Sequence, residues 1–226
     1  MHEHGVEDMM QDNVFKEYEG NHWYERNACY LDAQRQDYIV DMIKYLGLKP
    51  EKVAEVGCSN GYRLERIRCE FGAVCCGFDA SKEAIEAGRK LYPDIEFIHG
   101  TVAEIESIDV YDLVICNFVL HWVDRKTLLA SIAKIDALVQ PGGTIVLGDF
   151  LPDYQQRRKY HHLPEMDVYT YKQDYGKIFT ISGLYKEIYR HTFNHDENKA
   201  GWAPSSQRGV RVALRKMKEN EYYTLA

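Results

Sequence analysis

Between residues 47 and 147 the chain alternates short apolar runs with longer amphipathic stretches, and this rhythm restricts the fold more than any other feature. The apolar runs are Val53 to Val56, Val74 to Phe78, Ile95 to His99, Leu113 to Cys116 and Thr144 to Leu147. Between them lie segments with helical spacing: Leu64, Ile67 and Phe71 share one face, as do Leu128, Ile132, Ile135 and Val139. Ser81 and Asp124 stand where helices begin, with Glu83 in a first turn, and Pro141-Gly142-Gly143 is a turn before the last run. Strands joined through helices imply right-handed crossovers and a parallel sheet.

The flanks depart from this rhythm. Phe15 to Leu46 is expected to be helical, because Ile39, Met42, Ile43 and Leu46 recur on one face before Gly47 and Pro50 stop the pattern. Pro152 to Gly176 is polar, rich in Tyr and His, and weakly periodic. Leu184 to Phe193 and Val210 to Lys216 are strand-like with no long helical pattern between them, so they should pair antiparallel. The expected fold is α/β, a Rossmann-like doubly wound seven-stranded sheet, mostly parallel with a C-terminal antiparallel hairpin. One domain is expected, organised as a helical lid or substrate segment (1–46), a core (47–150) and a second substrate segment carrying the hairpin (151–226).

Bulk properties narrow the function classes. A chain of 226 residues can bury a core without staples. It has no apolar run long enough for a membrane span, and its first residues, polar and acidic, should fray and carry no secretory signal. The net charge of −7 argues against a nucleic-acid partner. Six cysteines without C-x-x-C spacing fit reduced thiols in a cytoplasmic protein. His161, His162, His191 and His195 match no common zinc spacing, so no metal is expected.

The first motif, Glu55-Val56-Gly57-Cys58-Ser59-Asn60-Gly61, joins the first strand to a helix. In open α/β sheets, ligands sit beyond the carboxyl ends of the strands. The stretch lacks two glycines of a nicotinamide fingerprint and the lysine of a phosphate loop. The second motif, Gly77-Phe78-Asp79-Ala80-Ser81, places an acid 18 residues after Gly61, near the separation expected of a ribose acceptor. A plain turn and a helix cap account for either motif alone; together they favour an adenosine-type ligand.

With Y-D-L-V-I-C-N-F-V-L-H-W-V-D and L-V-Q-P-G-G-T-I-V-L-G-D-F following in order, residues 36 to 150 resemble the class I S-adenosylmethionine-dependent methyltransferases. The resemblance implies S-adenosyl-L-methionine as cofactor. It places Glu55, Gly57, Cys58, Ser59 and Gly61 against the methionine part, and Asp79 with Ala80 at the ribose. Asn117 and Phe118 would face methionine and the reaction centre. Thr101 stands where the family usually has an acid for the adenine amine, which leaves the Val102 amide, apolar packing or Thr101 itself to hold adenine. Trp122 is expected to pack on the next helix, and His121 is either a substrate contact or a surface residue.

In this family the acceptor is gripped by the N-terminal helices and the segment after the fifth strand. His22, Trp23 and Tyr24 either form part of a lid or only pack aromatics on the domain. Arg157, Tyr171 and Lys172 lie in the second segment, where cations suit an anionic acceptor such as a phosphate or sugar acid. A hydroxyl acceptor needs a general base, for which His161, His162 and Asp149 are candidates by position; a neutral amine or an ionised oxygen needs little. The expected activity is O- or N-methylation of a small polar molecule: a sugar, sugar nucleotide or surface-polysaccharide precursor. L-G-D-F-L-P-D and Y-H-H-L-P resemble methyltransferases found among polysaccharide genes. An RNA or protein methyltransferase, a non-catalytic cofactor-binding module and a Rossmann dehydrogenase are the alternatives.

Overall fold

A computed structural model describes residues 10–106 and 109–222; residues 1–9, whose polar character bears on the fraying and leader expectations, lie outside the described residues. The centre is one sheet built from β1 (Lys52–Val56), β2 (Val74–Asp79), β3 (Glu96–His99), β4 (Tyr111–Asn117), β5 (Val139–Phe150), β8 (Tyr185–Asn194), β9 (Lys199–Ala200) and β10 (Arg208–Lys216). Its order is β3-β2-β1-β4-β5-β10-β8-β9. The first five strands are parallel, and β10 inserts antiparallel between β5 and β8. The sheet therefore has eight strands where seven were expected, because the chain after β8 folds back and the two-residue β9 pairs on its outer edge.

Alternation along each strand divides the core between two faces. Ala54, Val56, Val114, Cys116, Val210, Val212 and Leu214 pack on one side with α6 (Leu128–Leu138) and α7 (Gly176–Ile181). Val53, Leu113, Ile115 and Ala213 pack on the other, with α3 (Tyr38–Tyr45), α4 (Tyr62–Phe71) and α5 (Lys82–Leu91). Ser81 caps α5 as expected, accepting from the Ala84 N–H at 3.1 Å. The Pro141-Gly142-Gly143 turn is an irregularity inside β5: partners jump from Tyr111↔Val139 to Leu113↔Thr144.

The N-terminal stretch is not one helix. It runs through α1 (Gln11–Val14), a π-helical turn (Phe15–Glu19), α2 (Gly20–Asn27) and a 3-10 turn (Ala28–Tyr30), then breaks before α3. Asp37 causes the restart, accepting from the Ile39 and Val40 N–H groups at 2.8 and 3.2 Å. The polar segment after β5 is also more ordered than its composition suggests. It forms a hairpin of β6 (Gln156–Lys159) and β7 (Tyr169–Lys172), and Tyr160, Leu163 and Val168 bury against Val14 and Phe15. The Gln11 amide joins the pieces, donating to the carbonyls of Trp122 and Tyr169 and accepting from the Tyr169 N–H. Asp124, expected to cap α6, instead accepts from the Gln11 N–H at 3.0 Å and so caps α1; Thr127 occupies the α6 N-cap.

Candidate active site

The loop after β1 folds back on the end of β2: the Gly57 and Cys58 N–H groups both donate to the Phe78 carbonyl. Gly57 has φ +75°, and a Cβ there would lie 2.1 Å from Val119 Cγ2, so only glycine leaves this floor open. Asp79, at the tip of β2, accepts from the Ser59 and Ser81 N–H groups, each at 2.7 Å. A carboxylate keeps further lone pairs beyond these two bonds. Burial pushes the Asp79 pKa up.

Two cavities open on this loop. The first is a largely apolar slot between the loop and the N-terminal helices, lined by Phe15, Trp23, Asp79, Ala80, Thr101 and Val102 among others. The second is a wider chamber above the ends of β4, β5 and β10. Its walls include Ser59, Arg63, Asn117, Phe118, His121, Phe150, Phe193, His195 and Arg211. Trp23, Gly57, Val119 and Trp122 line both, so the cavities meet over Gly57. Among the described residues, the non-glycine residues with left-handed backbone are Ser59, Phe118 and Asn198, and all three line the chamber. Strain of this kind persists where the surroundings over-determine a site.

An S-adenosylmethionine molecule suits these residues. The apolar slot takes a nucleoside, with Thr101 and Val102 at its wall and Asp79 available to its hydroxyls. Beside the Gly57 floor, the buried Ser59 Oγ and Asn117 Oδ1 have no hydrogen-bond partner among the described residues, which suits an ammonium donor.

His121 is 2% exposed, so it is not a surface residue. Its Nδ1 lies 3.0 Å from Asp149 Oδ1, and its backbone N–H donates to Asp149 Oδ2 at 3.3 Å. Asp149 itself is 4% exposed and also accepts from the Phe150 N–H. It stands behind His121, not in the chamber wall. Nearby, His195 lies between the rings of Phe118 and Phe150, 4.9 and 4.8 Å from their centroids. Burial lowers its pKa.

Several expected positions fall elsewhere. His161 and His162 are exposed at the turn of the β6–β7 hairpin, their rings 3.9 Å apart, and they line neither cavity; the composition of the segment did not encode which way its turn faces. Arg157 lies over the Tyr169 ring on the hairpin, and Tyr171 lies under the Arg125 guanidinium. Lys172 sits 3.6 Å from the centroid of Phe150, behind the chamber wall, and burial lowers its pKa. His22 packs against the Tyr18 ring and its Nδ1 lies 3.1 Å from the Tyr18 carbonyl, which accepts; it lines neither cavity. Tyr24 faces Asn60. Cys58 is buried behind the loop, and Gly61 begins α4 with φ +75° against Phe97. Glu55 is fully buried and pairs with Arg63. Trp122, expected only to pack on a helix, walls both cavities and stacks on Phe15 at 5.0 Å.

Arg63, Arg211, Phe193 and His195 were not expected in the site. The available signal for Arg211 was a charge in an otherwise apolar strand, Val210-Arg211-Val212. For Arg63 it was a cation two residues after the Gly61 turn.

Residues 53–143 match a family model described as a methyltransferase domain. The malonyl-[acyl-carrier protein] O-methyltransferase of Halalkalibacterium halodurans is 27% identical over 46% of this chain and 41% of its own length. The trans-aconitate 2-methyltransferase of Escherichia coli is 25% identical over 58% of this chain and 51% of its own. The tRNA N(3)-methylcytidine methyltransferase of Schizosaccharomyces pombe is 25% identical over 60% of each chain. The chain thus spans about half the length of the curated relatives it matches. In fold it is similar to the Burkholderia thailandensis 1,6-didemethyltoxoflavin-N1-methyltransferase, solved with S-adenosylhomocysteine. That match has a TM-score of 0.68 and 13% identity, covering 91% of this chain and 88% of that one. The ordered motifs, the sheet order and the domain match agree: residues 53–143 carry a methyltransferase domain, and the chain is similar in fold to S-adenosylmethionine-dependent methyltransferases.

Proposed function

We propose that the protein O-methylates a hydroxyl of a small polar acceptor, of the sugar or sugar-acid kind, with His121 as general base. The observation that carries this reading is the buried His121–Asp149 pair at the chamber wall. An acceptor oxygen attacks in line, and alignment in a dry site does much of the work. The bound cofactor supplies an electrophilic methyl group on a sulfonium.

The chain's own residues supply the remainder. Asp149 accepts the Nδ1 proton of His121 and so fixes the tautomer, which leaves Nε2 as the nitrogen available to the chamber. Nε2 takes the hydroxyl proton as the oxygen becomes nucleophilic, and Asp149 balances the imidazolium that results. Trp23 and Trp122, shared by both cavities, keep water from the junction over Gly57. Asp79 holds the ribose and Thr101–Val102 the adenine end.

His121→Gln is expected to lower kcat by about 10²–10⁴-fold while the affinity for S-adenosylhomocysteine is unchanged. Asp149→Asn, a change at a positioning residue, should lower kcat with the donor KM unaltered. Steady-state kinetics beside calorimetry checks both, using product formation with sugar and sugar-nucleotide acceptors. Full turnover by His121→Gln rejects the base; donor binding with no product from any acceptor favours a non-catalytic binding module.

A further inference from the structure

Two arginines reach the chamber, and they are held in opposite ways. Arg63 is tied down through all three of its nitrogens: Nε donates to Asp37 at 2.8 Å, one terminal nitrogen pairs with Glu55, and the other donates to the Tyr62 hydroxyl at 2.8 Å. It is part of the scaffold under the cofactor loop. Arg211 is 9% exposed and has no carboxylate within ion-pair distance among the described residues. Among the described residues its side chain makes one hydrogen bond, from a terminal nitrogen to Asn198 Oδ1 at 3.2 Å. Its charge is held by ring faces: the guanidinium carbon is 3.7 Å from the centroid of Phe193 and 5.0 Å from that of Tyr38.

Aromatic faces attract a cation without consuming its N–H donors. A guanidinium held this way keeps its planar fork available, and that fork matches a carboxylate or phosphate edge. Asn198, in left-handed backbone, sets the plane of the fork from one side. Burying a cation without a directly paired acid is costly; burial pushes the Arg211 pKa down to about 10, opposed only in part by the charge of Asp37. A bound anion would offset that cost.

We propose that Arg211 is the receptor for an anionic group of the acceptor, a carboxylate or a phosphate ester, and so sets the acceptor class as a hydroxylated acid. The donor's own carboxylate is the other source of such an anion. Position favours the acceptor. Arg211 pairs with Gly148 and His191 on β10, across β4 and β5 from the cofactor loop. Strands are about 4.8 Å apart, so β10 lies roughly 14 Å from β1. Of the neighbours of Arg211, Phe193 comes from β8 and Asn198 from the turn between β8 and β9, while Tyr38 opens α3.

This inference rests on the methyltransferase reading, and its test does not require turnover. The protein saturated with S-adenosylhomocysteine is titrated with D-glucuronate, glucose 6-phosphate and glucose by calorimetry. Binding of at least one anion and not of glucose is expected. Arg211→Met should weaken that binding by at least about tenfold, the scale of a lost charge-assisted fork. Arg211→Lys should weaken it less, and Asn198→Ala, which keeps the charge, should weaken it to an intermediate degree. S-adenosylhomocysteine affinity should not change in any variant.

Three results overturn the proposal. One is no binding of either anion; another is anion binding that Arg211→Met leaves intact. The third is a loss of S-adenosylhomocysteine affinity in Arg211→Met with 5′-methylthioadenosine affinity unchanged, which assigns the anion to the donor. Failure of the wild-type protein to bind S-adenosylhomocysteine at all strikes instead at the methyltransferase reading.

Discussion

The ribose contact proposed for Asp79 couples donor binding to pH, and the sign follows from the burial of that residue. Its pKa is raised, so the unliganded protein keeps a proton there to a higher pH than an ordinary carboxylate does. For the unliganded fold, stability falls as pH rises through that raised pKa. Ribose hydroxyls donate to the ionised form, so donor binding lowers the pKa and releases a proton. The affinity for S-adenosylhomocysteine should therefore climb as pH rises through the raised Asp79 pKa and then level off. Calorimetry in buffers of different protonation enthalpy reads the released proton, and Asp79→Asn should remove the slope. A slope that survives in Asp79→Asn, or affinity that falls with rising pH, contradicts this assignment. At this scale the loop after β1 and the tip of β2 were legible from sequence because they are local: Gly57 and Asp79 each sit at the end of a strand that can be read from a few residues. The acceptor half was not. His121 meets Asp149 from 28 positions away, and Arg211 meets Phe193 and Tyr38 only once the terminal strands are in place. His161 and His162 had suitable chemistry in the right segment, but exposure is not a local property of sequence.

Among the elements, the N-terminal helices depend on a cap borrowed from a distant loop. Asp124 accepts from the Gln11 N–H, and in return Asp12 accepts from the Asp124 N–H at 2.7 Å and from the Thr127 hydroxyl. Loss of a helix N-cap costs about 0.5–2 kcal/mol. The ties of α1 run to the turn after β4 and to the β6–β7 hairpin, so the cost should fall on the segment and not on the sheet. Asp124→Ala is expected to speed amide exchange across residues 11–27 and to weaken S-adenosylhomocysteine binding, because Phe15 and Trp23 wall the slot. Hydrogen-exchange mass spectrometry makes the comparison, with β1, β4 and β5 as the internal control; unchanged exchange in 11–27 would refute the cap. Helical character at Ile39 to Leu46 was visible as a period of apolar residues. The break before it was not, since Asp37 acts as a cap only when the preceding residues leave the helix.

For the molecule as a whole, the parallel half of the sheet follows from the strand–helix rhythm, whereas the eighth strand is a two-residue pairing too short to carry a pattern. The apolar slot and the wider chamber share a wall made by two distant segments: α2 supplies Trp23 and the turn after β4 supplies Trp122. Their rings meet edge to face, 6.3 Å between centroids. The third tryptophan, Trp202, is 86% exposed. The arrangement gives the protein an intrinsic optical gauge. Titration with S-adenosylhomocysteine should change the emission of the shielded pair, while the component quenched by iodide, from Trp202, stays constant and serves as the reference. Trp202→Phe should retain the ligand response and lose the iodide-sensitive component, so occupancy can be followed in the unlabelled protein before any acceptor has been identified.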